Sequence, residues 1–380
     1  MKIVIAPDSF KETLSASDVA DAIEVSFLDL FPDSEIFKLP IADGGEGTVD
    51  VLVKATKGHF FSTKVTGPMG ETVNANWGIL GNSKTAVIEV AQACGLHLVP
   101  LQKRNPMLAS SFGVGELILA ALNEGVKHII IGLGGSSTND GGIGFLQAIG
   151  VRFLDSSGNE LIEGVSIFNA LCEIDMRSMD PRLKGVRFEI ACDVDNPLTG
   201  PQGASFIFGS QKGANEEMIN QLDSILNHYS NIVSNKFTNN VSMQPSTGAA
   251  GGMGYGFLAF LGAELKSGIN IVLEKLDFNQ NLLGADLVIT GEGRIDAQSD
   301  RGKAPIGVID YARKYKCSIF VIAGSIQDSE AFKKKYGVNE VYSIVSSELS
   351  LEDALEHPTE NLIAISRIAA QDFKRNYADT

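Results

Sequence analysis

The stretch Ile3-Val4-Ile5-Ala6-Pro7-Asp8 decides the fold class, because a short apolar run rich in β-branched residues ends in an acid. The same pattern occurs at three more places: Leu39 to Ala42 before Asp43, Phe188 to Ala191 before Asp193 and Asp195, and Leu287 to Thr290 before Glu292 and Asp296. Such runs predict strands buried in an α/β sheet, and ligands in these sheets collect at the carboxyl ends of the strands. The acids therefore predict a site for Mg²⁺ and phosphate, although Asp and Gly also follow strands simply because they favour turns.

The composition limits the possible functions. At 380 residues, 44% of them hydrophobic, the chain is expected to form two globular domains. Its formal charge of -15 disfavours binding to nucleic acid or to an anionic membrane. The four cysteines form no CxxC pair and the five histidines lack metal-ligand spacing, so neither a zinc site nor a disulfide framework is predicted. No leader segment and no bilayer-spanning apolar stretch is recognised, so we expect a cytoplasmic protein.

Strands and helices alternate near both ends of the chain. The predicted strands cover residues 2–6, 35–39, 285–290, 318–323 and 340–345, and the predicted helices cover residues 17–30, 304–314, 329–336 and 359–376. Five strands that alternate with helices predict a parallel, doubly wound α/β sheet of the flavodoxin-like type. We therefore expect residues 1–60 and 281–380 to form one discontinuous domain.

Residues 61–280 differ in character and are predicted to form an inserted second α/β domain. Antiparallel strands are expected over residues 60–80, a helix over 108–123, a strand over 128–132 and a helix over 215–235. Because ligands commonly bind in the cleft between two domains, we expect the substrates to bind there.

The standard nucleotide-binding signatures are absent. A P-loop requires GxxxxGK[ST], but Ala297 stands where its first glycine is needed, and Ala304 follows Gly302-Lys303. The one GxGxxA sequence, Gly254 to Ala259, follows no predicted strand and is therefore not a Rossmann fingerprint. The protein-kinase motifs are missing as well.

Two other segments are suited to phosphate chemistry. Gly132 to Gly142 (GLGGSSTNDGG) leaves a strand and precedes a helix predicted over residues 143–149. Its small residues let backbone N–H groups approach phosphate oxygens, its polar side chains add contacts, and the helix N-terminus favours negative charge. Gly291 to Asp296, followed by Arg301 to Lys303, combines acids and bases as phosphoryl transfer requires. The alternatives are a flexible connection for the first segment and a surface ion-pair cluster for the second.

The sequence resembles the type 1 bacterial glycerate kinases along essentially its whole length. The motifs that carry the resemblance are Ala6 to Lys11 (APDSFK), Pro40 to Thr48 (PIADGGEGT), Gly134 to Gly142 (GGSSTNDGG), Cys192 to Leu198 (CDVDNPL) and Asp286 to Asp296 (DLVITGEGRID). The resemblance implies ATP-dependent phosphorylation of D-glycerate with Mg²⁺ by a two-domain α/β enzyme. The sequence departs from the usual family pattern at three places. Glu12-Thr13 stands where Gly-Ser is common, Phe112 stands where Tyr is usual, and Ser137 stands where Ala is often found.

The resemblance leads to expected roles for individual residues. Asp193 or Asp296 is expected to accept the proton of the attacking hydroxyl of glycerate. Lys11, Arg294 and Lys303 are expected to hold the carboxylate of glycerate or the transferring phosphoryl group. The expected Mg²⁺ ligands are Asp193, Asp195 and Asp296. The further expected substrate or nucleotide contacts are Asp8, Ser9, Asp43, Gly44, Gly45, Glu46, Gly134, Gly135, Ser136, Thr138, Asn139, Asn196, Gly291 and Glu292.

Several alternatives remain open from the sequence. Phosphorylation at the 2-hydroxyl of glycerate is favoured, but no motif excludes the 3-hydroxyl. Another small hydroxy acid, such as tartronate or glycolate, is an alternative acceptor. A non-catalytic, receiver-like module also combines a flavodoxin-like sheet with acids, although such modules are much shorter than this chain. A monomer and a homodimer are both compatible with the sequence.

Overall fold

The computed structural model describes residues 1–11, 13–162, 164–237, 240–295, 304–346 and 349–376. The chain forms two compact units: a first unit of residues 1–43 and 268–380, and a second unit of residues 44–267. In the described ranges, no helix has both the length and the hydropathy that are needed to cross a membrane.

The strands follow one another along the chain as β1 (Lys2–Pro7), β2 (Glu35–Lys38), β3 (His59–Thr66), β4 (Thr72–Ile79), β5 (Thr85–Glu89), β6 (His128–Gly132), β7 (Arg152–Leu154), β8 (Glu173–Asp175), β9 (Arg187–Ala191), β10 (Glu264–Lys266), β11 (Leu287–Gly291), β12 (Arg294–Ile295), β13 (Ser318–Ala323), β14 (Ser325–Ile326) and β15 (Glu340–Ser343). The α-helices are α1 (Ala16–Leu30), α2 (Thr48–Ala55), α3 (Ala91–Cys94), α4 (Phe112–Asn123), α5 (Ile143–Ala148), α6 (Ala204–Phe208), α7 (Glu216–Phe237), α8 (Ala249–Leu261), α9 (Gly268–Lys275), α10 (Phe278–Leu282), α11 (Ala304–Ala312), α12 (Ser329–Tyr336), α13 (Leu351–Glu356) and α14 (Pro358–Asn376). Short 3-10 helices occur at Leu96–Leu98, Leu101–Lys103, Val165–Ala170, Pro181–Leu183 and Ser210–Lys212.

The first unit is built around a five-stranded parallel sheet in the order β2-β1-β11-β13-β15. When its strands are counted along the chain, this is the 2-1-3-4-5 order of the flavodoxin-like fold. The register places Ile5 beside Ile289, and both side chains are fully buried. The predicted doubly wound parallel sheet is therefore confirmed.

Helix α1 shows how local sequence defines an element of this unit. Ser15 and Asp18 form a capping box, in which the Ser15 side chain accepts from the Asp18 N–H and the Asp18 carboxylate accepts from the Ser15 N–H. Val19, Ile23 and Phe27 recur at helical spacing on one face and are buried. This apolar face belongs to the same core as β1 and α14.

One of the four predicted strand runs was wrong. Leu39 to Ala42 is not a strand, because β2 ends at Lys38 and Pro40 has no N–H to donate to a ladder. The segment nevertheless continues beside β1: the Leu39 N–H donates to the Ile5 carbonyl at 2.8 Å, and the Ile41 N–H donates to the Pro7 carbonyl at 2.9 Å. Asp43 therefore still lies near the edge at which β1 ends.

The second unit contains a mixed six-stranded sheet in the order β10-β9-β6-β5-β4-β3. Strands β3, β4 and β5 pair antiparallel, whereas β5, β6, β9 and β10 pair parallel. The stacked rings of Phe145 and Phe257, with centroids 4.2 Å apart, lie in its core together with Trp77 and Tyr229. Parallel pairing brings the ends of β5, β6 and β9 to the same edge of the sheet.

The borders between the units differ from the predicted ones. The structure places them after Asp43 and before Gly268, rather than after residue 60 and before residue 281. Helix α2 packs against β4 and β5 of the second unit, and helix α9 packs against α11 of the first. Each helix thus belongs with the sheet or helix that covers its apolar face, which the sequence pattern does not reveal.

Candidate active site

Acidic residues gather at the carboxyl edge of the sheet in the first unit. Asp8 follows β1, Glu292 follows β11, and Asp43 ends the extended segment after β2. The Asp8 N–H donates to the Gly291 carbonyl at 2.8 Å, and the Asp8 Oδ1 accepts from the Ser9 N–H at 2.6 Å. The backbone thus fixes Asp8 at the strand end.

Asp8 has an unusual protonation equilibrium for an aspartate. Asp8 is only 7% exposed, and burial raises the pKa of its carboxyl group from the ordinary 3.8 to about 7. The negative charges of Asp43 and Glu292 contribute to this increase, whereas the Ser9 N–H and the Lys11 charge oppose it. Carboxyl groups with a pKa near neutrality at a strand end are candidates for general acid–base catalysis.

The glycines that follow β11 allow close packing at this edge. A Cβ on Gly291 would collide with the carbonyl oxygen of Ile322 on β13, and a Cβ on Gly293 would lie 3.2 Å from Phe10 Cα.

The predicted cationic residues of this edge are exposed where the structure describes them. Arg294 begins β12, which pairs with β14, and its side chain is exposed, as is that of Lys11. Asp296, Arg301 and Lys303 lie outside the described residues, so their predicted roles stay predictions.

The carboxyl edge of the second sheet carries a buried acid that the sequence reasoning missed. Glu89 ends β5 and is 5% exposed; its Oε1 accepts from the Val49 N–H at 2.8 Å. Burial raises its pKa to about 7, the Glu46 charge adds to this, and the N–H groups at the start of α2 oppose it. The signal was present in the sequence, because Ala86 to Ile88 is another apolar run that precedes an acid.

The segment from Gly44 to Glu46 lies against the end of β6. A Cβ on Gly132 would collide with the Gly44 carbonyl oxygen, and a Cβ on Gly134 would lie 3.1 Å from Gly45 Cα. Gly44 has a φ of 89°, a conformation that residues with a side chain rarely adopt. Glu46 is exposed.

The glycine-rich loop after β6 has an exposed part and a buried part. Gly134 and Gly135 are exposed, and among the described residues no protein acceptor is found for the N–H groups of Gly134, Gly135 and Ser136. By contrast, both the N–H and the hydroxyl of Ser137 donate to the Cys94 carbonyl, at 2.8 and 2.9 Å. Thr138 and Asn139 are fully buried, and Asn139 Nδ2 donates to Ser205 Oγ at 2.9 Å. The groups that face solvent are therefore those of Gly134 and Gly135, whereas Ser136 beside them is buried.

The carboxylate of this loop has a structural task. Asp140 accepts hydrogen bonds from the N–H and the hydroxyl of Ser111 at 2.9 and 2.8 Å, and from the N–H groups of Gly142 and Gly144 at 3.0 and 3.2 Å. It thereby ties the start of α4 to the start of α5. The expectation that this carboxylate adds metal or phosphate contacts stays a prediction beside this structural task.

Lys212 is a second residue that the sequence reasoning missed. Lys212 is only 2% exposed, and its Nζ donates to Ser136 Oγ at 3.1 Å and to the Thr138 carbonyl at 2.7 Å. Burial lowers its pKa to about 8. It ends a short 3-10 helix between α6 and α7, where no periodicity or motif distinguishes a buried lysine from a solvated one.

Asp193 and Asp195 follow β9 at the same edge of the second sheet. Asp193 is half-buried and Asp195 is exposed. Next to them, Asn196 is occupied with the backbone: its Nδ2 donates to the Gln202 carbonyl at 2.9 Å, and its own carbonyl accepts from the Gly248 N–H at 2.9 Å. Across the described residues, no three Asp, Glu, His or Cys side chains converge closely enough to hold a metal ion by themselves.

Over nearly its full length, the chain is similar to known proteins of one family. The sequence model of the glycerate kinase family matches residues 3–374. Glycerate 2-kinase of Escherichia coli (strain K12) is 51% identical over 367 residues, which cover 97% of this chain and 96% of that protein. Glycerate kinase of Bacillus subtilis (strain 168) is 50% identical, over 98% of both chains.

A solved structure shows the same likeness in three dimensions. It is the crystal structure of a protein proposed to be glycerate kinase 2 of Salmonella typhimurium LT2. It superposes with a TM-score of 0.90 at 47% identity and covers 99% of this chain and 98% of that one. Because these proteins match the chain over nearly its full length, the receiver-like alternative is excluded: receiver modules are far shorter. The chain therefore belongs to the glycerate kinase family of phosphotransferases.

Proposed function

We propose that this chain transfers the γ-phosphoryl group of ATP to a hydroxyl group of D-glycerate, with Mg²⁺ bound to the nucleotide phosphates. The observation that carries the proposal is the rim at Gly134 to Ser136, which is exposed at its two glycines and whose N–H groups have no protein acceptor among the described residues. A rim of backbone donors suits the anionic oxygens of a phosphate or of a carboxylate.

The acids divide into candidates for proton transfer and candidates for holding a metal ion. Asp193 and Asp296 were the expected bases, and the raised pKa of Asp8 makes it a third candidate. Asp193, Asp195 and Asp296 remain the proposed metal ligands. The position of Asp195 supports this role, because an exposed carboxylate at a strand end is accessible to a cation that carries phosphate ligands of its own. When bound, Mg²⁺ would neutralise charge on the phosphates.

The 2-hydroxyl of glycerate is the favoured acceptor. The relative in Escherichia coli is named a glycerate 2-kinase, and 51% identity over nearly the whole chain supports the same position here. Incubation with ATP, Mg²⁺ and D-glycerate, followed by ³¹P NMR of the product, distinguishes 2-phosphoglycerate from 3-phosphoglycerate. A panel with tartronate and glycolate tests the rival acceptors.

We further propose that the enzyme works in the cytoplasm, in keeping with its four unpaired cysteines.

Replacing Asp193 or Asp195 by Asn should lower kcat by roughly 10²-fold, because each change removes a negative charge from the proposed metal and proton-transfer site. Steady-state kinetics with varied Mg²⁺ measure the effect, and a loss of metal binding should also raise the Mg²⁺ concentration needed for half-maximal rate. Glu217→Gln, which changes an exposed acid on α7, is the control. Normal turnover by both folded variants would remove these residues from the mechanism.

Replacing Gly135 by Val should sharply raise KM for either ATP or D-glycerate. The φ of Gly135 is 73°, so a branched side chain is strained there, and its methyl groups would cover the N–H rim. The substrate whose KM rises identifies the ligand of the rim. Gly158→Val is a matched control, since Gly158 has a φ of 81° in an exposed turn with open space around it. If the Gly135 variant keeps both constants near those of the control, the loop is only a connection.

A further inference from the structure

Lys212 carries a positive charge in the interior of the second unit. Among the described residues no carboxylate lies within ion-pair distance of its amine, which donates instead to Ser136 Oγ and to the Thr138 carbonyl. The nearby Asp140 acts on it only through its field, because the Asp140 oxygens are taken up by Ser111 and the start of α5. A buried charge without a counter-charge is unfavourable, so its presence points to an anion that binds from outside.

The contact with Lys212 sets the direction of the Ser136 hydroxyl. Since Ser136 Oγ accepts a hydrogen bond from the ammonium, its own proton must be directed to another acceptor. Ser136 is 4% exposed, and the part of the chain that the structure describes supplies no acceptor for this proton. The hydroxyl is therefore a buried donor beside the unused N–H groups of Gly134 and Gly135.

We propose that the Ser136 hydroxyl and the N–H groups of Gly134, Gly135 and Ser136 bind one oxyanion, and that Lys212 is the positioning residue that orients the hydroxyl and supplies the charge. The ligand chemistry is a phosphate or carboxylate oxygen, because every group of the set is a donor. This inference rests on the proposed function, whose substrates carry both kinds of oxyanion. It adds to that proposal the positive charge of Lys212, which lies outside the glycine-rich loop.

The protonation state of Lys212 is consistent with this role. With a pKa near 8, the amine is mostly charged at neutral pH, and an anion bound at Ser136 would favour the charged form further. The charges that face it belong to Asp140 and, when ionised, to the Cys94 thiol. Burial raises the pKa of Cys94 to about 12, so this thiol stays neutral near pH 7.

Direct binding tests the proposal on the full chain. Isothermal titration with inorganic phosphate, ADP and D-glycerate should show that Lys212→Met and Ser136→Ala each weaken the same probe by about 10-fold or more, as expected for lost charge-assisted hydrogen bonds. If Lys212 acts through Ser136, the double variant should bind scarcely more weakly than Lys212→Met alone. The affected probe shows whether the oxyanion is a phosphate or a carboxylate. Lys127→Met, an exposed lysine at the amino end of β6, should bind like the wild type.

The outcomes separate this proposal from the proposed function. If the protein does not phosphorylate D-glycerate but both variants lose binding of phosphate or ADP, the oxyanion site stands and the proposed function fails. If all three probes bind to both variants within two-fold of wild type, or if the wild type binds none of them, the oxyanion site is refuted. Should Lys212→Met fail to fold, Ser136→Ala keeps the lysine and decides the question alone, together with the NMR shifts of the Gly134 and Gly135 amides during titration.

Discussion

Replacing Asp8 by Asn should lower kcat for D-glycerate phosphorylation by about 10²-fold or more, the range expected when a general base is lost. Asp8 lies at the end of β1 with a pKa raised by burial to about 7, and Asn keeps its size but cannot accept a proton. For the wild type, kcat/KM should fall as the pH drops below about 7, because the protonated carboxyl is inactive as a base. The Asn variant should lack this acidic limb.

The same variant should be more stable than the wild type at alkaline pH. Since the pKa of Asp8 is 3.8 when unperturbed and about 7 in the folded protein, the folded state holds the proton more tightly. Its stabilising contribution is complete below pH 3.8 and is lost as the pH rises to 7, a change of roughly 4 kcal/mol. Asn stays neutral, so its Tm should exceed that of the wild type at pH 8 and approach it near pH 4.

A purely structural role for Asp8 would give a different pattern. The Asn variant would then lose stability at pH 8 and keep its kcat per folded molecule, and that result would exclude Asp8 as the base. Asp33→Asn, an exposed acid of the same unit, controls for the general loss of one negative charge.

Replacing Gly291 by Ala should lower the free energy of unfolding by about 3 kcal/mol, at the upper end of the range for overpacked interiors. The new Cβ would collide with the Ile322 carbonyl oxygen, a backbone atom of the neighbouring strand that cannot rotate away. The collision lies where β11 supports Asp8 through the Gly291 carbonyl, so activity should fall as well. Urea unfolding monitored by circular dichroism measures the first effect.

Gly293→Ala is the matched control for this change. Its Cβ would lie 3.2 Å from Phe10 Cα, a tight contact that a shift of a few tenths of an ångström relieves. We therefore expect a loss of less than about 1 kcal/mol for this variant. Equal stability of the two variants would show that the strand edge adjusts freely and that the close approach at Gly291 is not required.

The sequence predicts the first unit well because its local and long-range signals agree. The capped, amphipathic α1 and the apolar runs of β1, β11 and β13 each have one stable location, and alternation then requires a parallel sheet. The borders of the units were harder to predict, because the packing partner of α2 is a property of the tertiary fold. The segment after β2 was overextended because Pro40 has the apolar character of a strand residue but lacks the N–H.

The site was only partly predictable for a similar reason. Glu89 has the same sequence signal as Asp8, because it is an acid that directly follows an apolar run. Lys212 and the structural task of Asp140 depend on contacts between distant segments, which spacing along one sequence does not contain. Thr138 and Ser136 are both polar, yet only the structure shows that both are buried while Gly134 and Gly135 are exposed.

The central claim is that this chain phosphorylates D-glycerate with ATP, and coupled detection of ADP release tests it most directly. The purified protein is incubated with ATP and Mg²⁺, with and without D-glycerate, and L-glycerate serves as the matched control. We expect ADP to form in step with phosphoglycerate, only when D-glycerate and a divalent cation are both present. ADP release that is independent of D-glycerate, or no release at any cation concentration while the protein is folded, would contradict the claim.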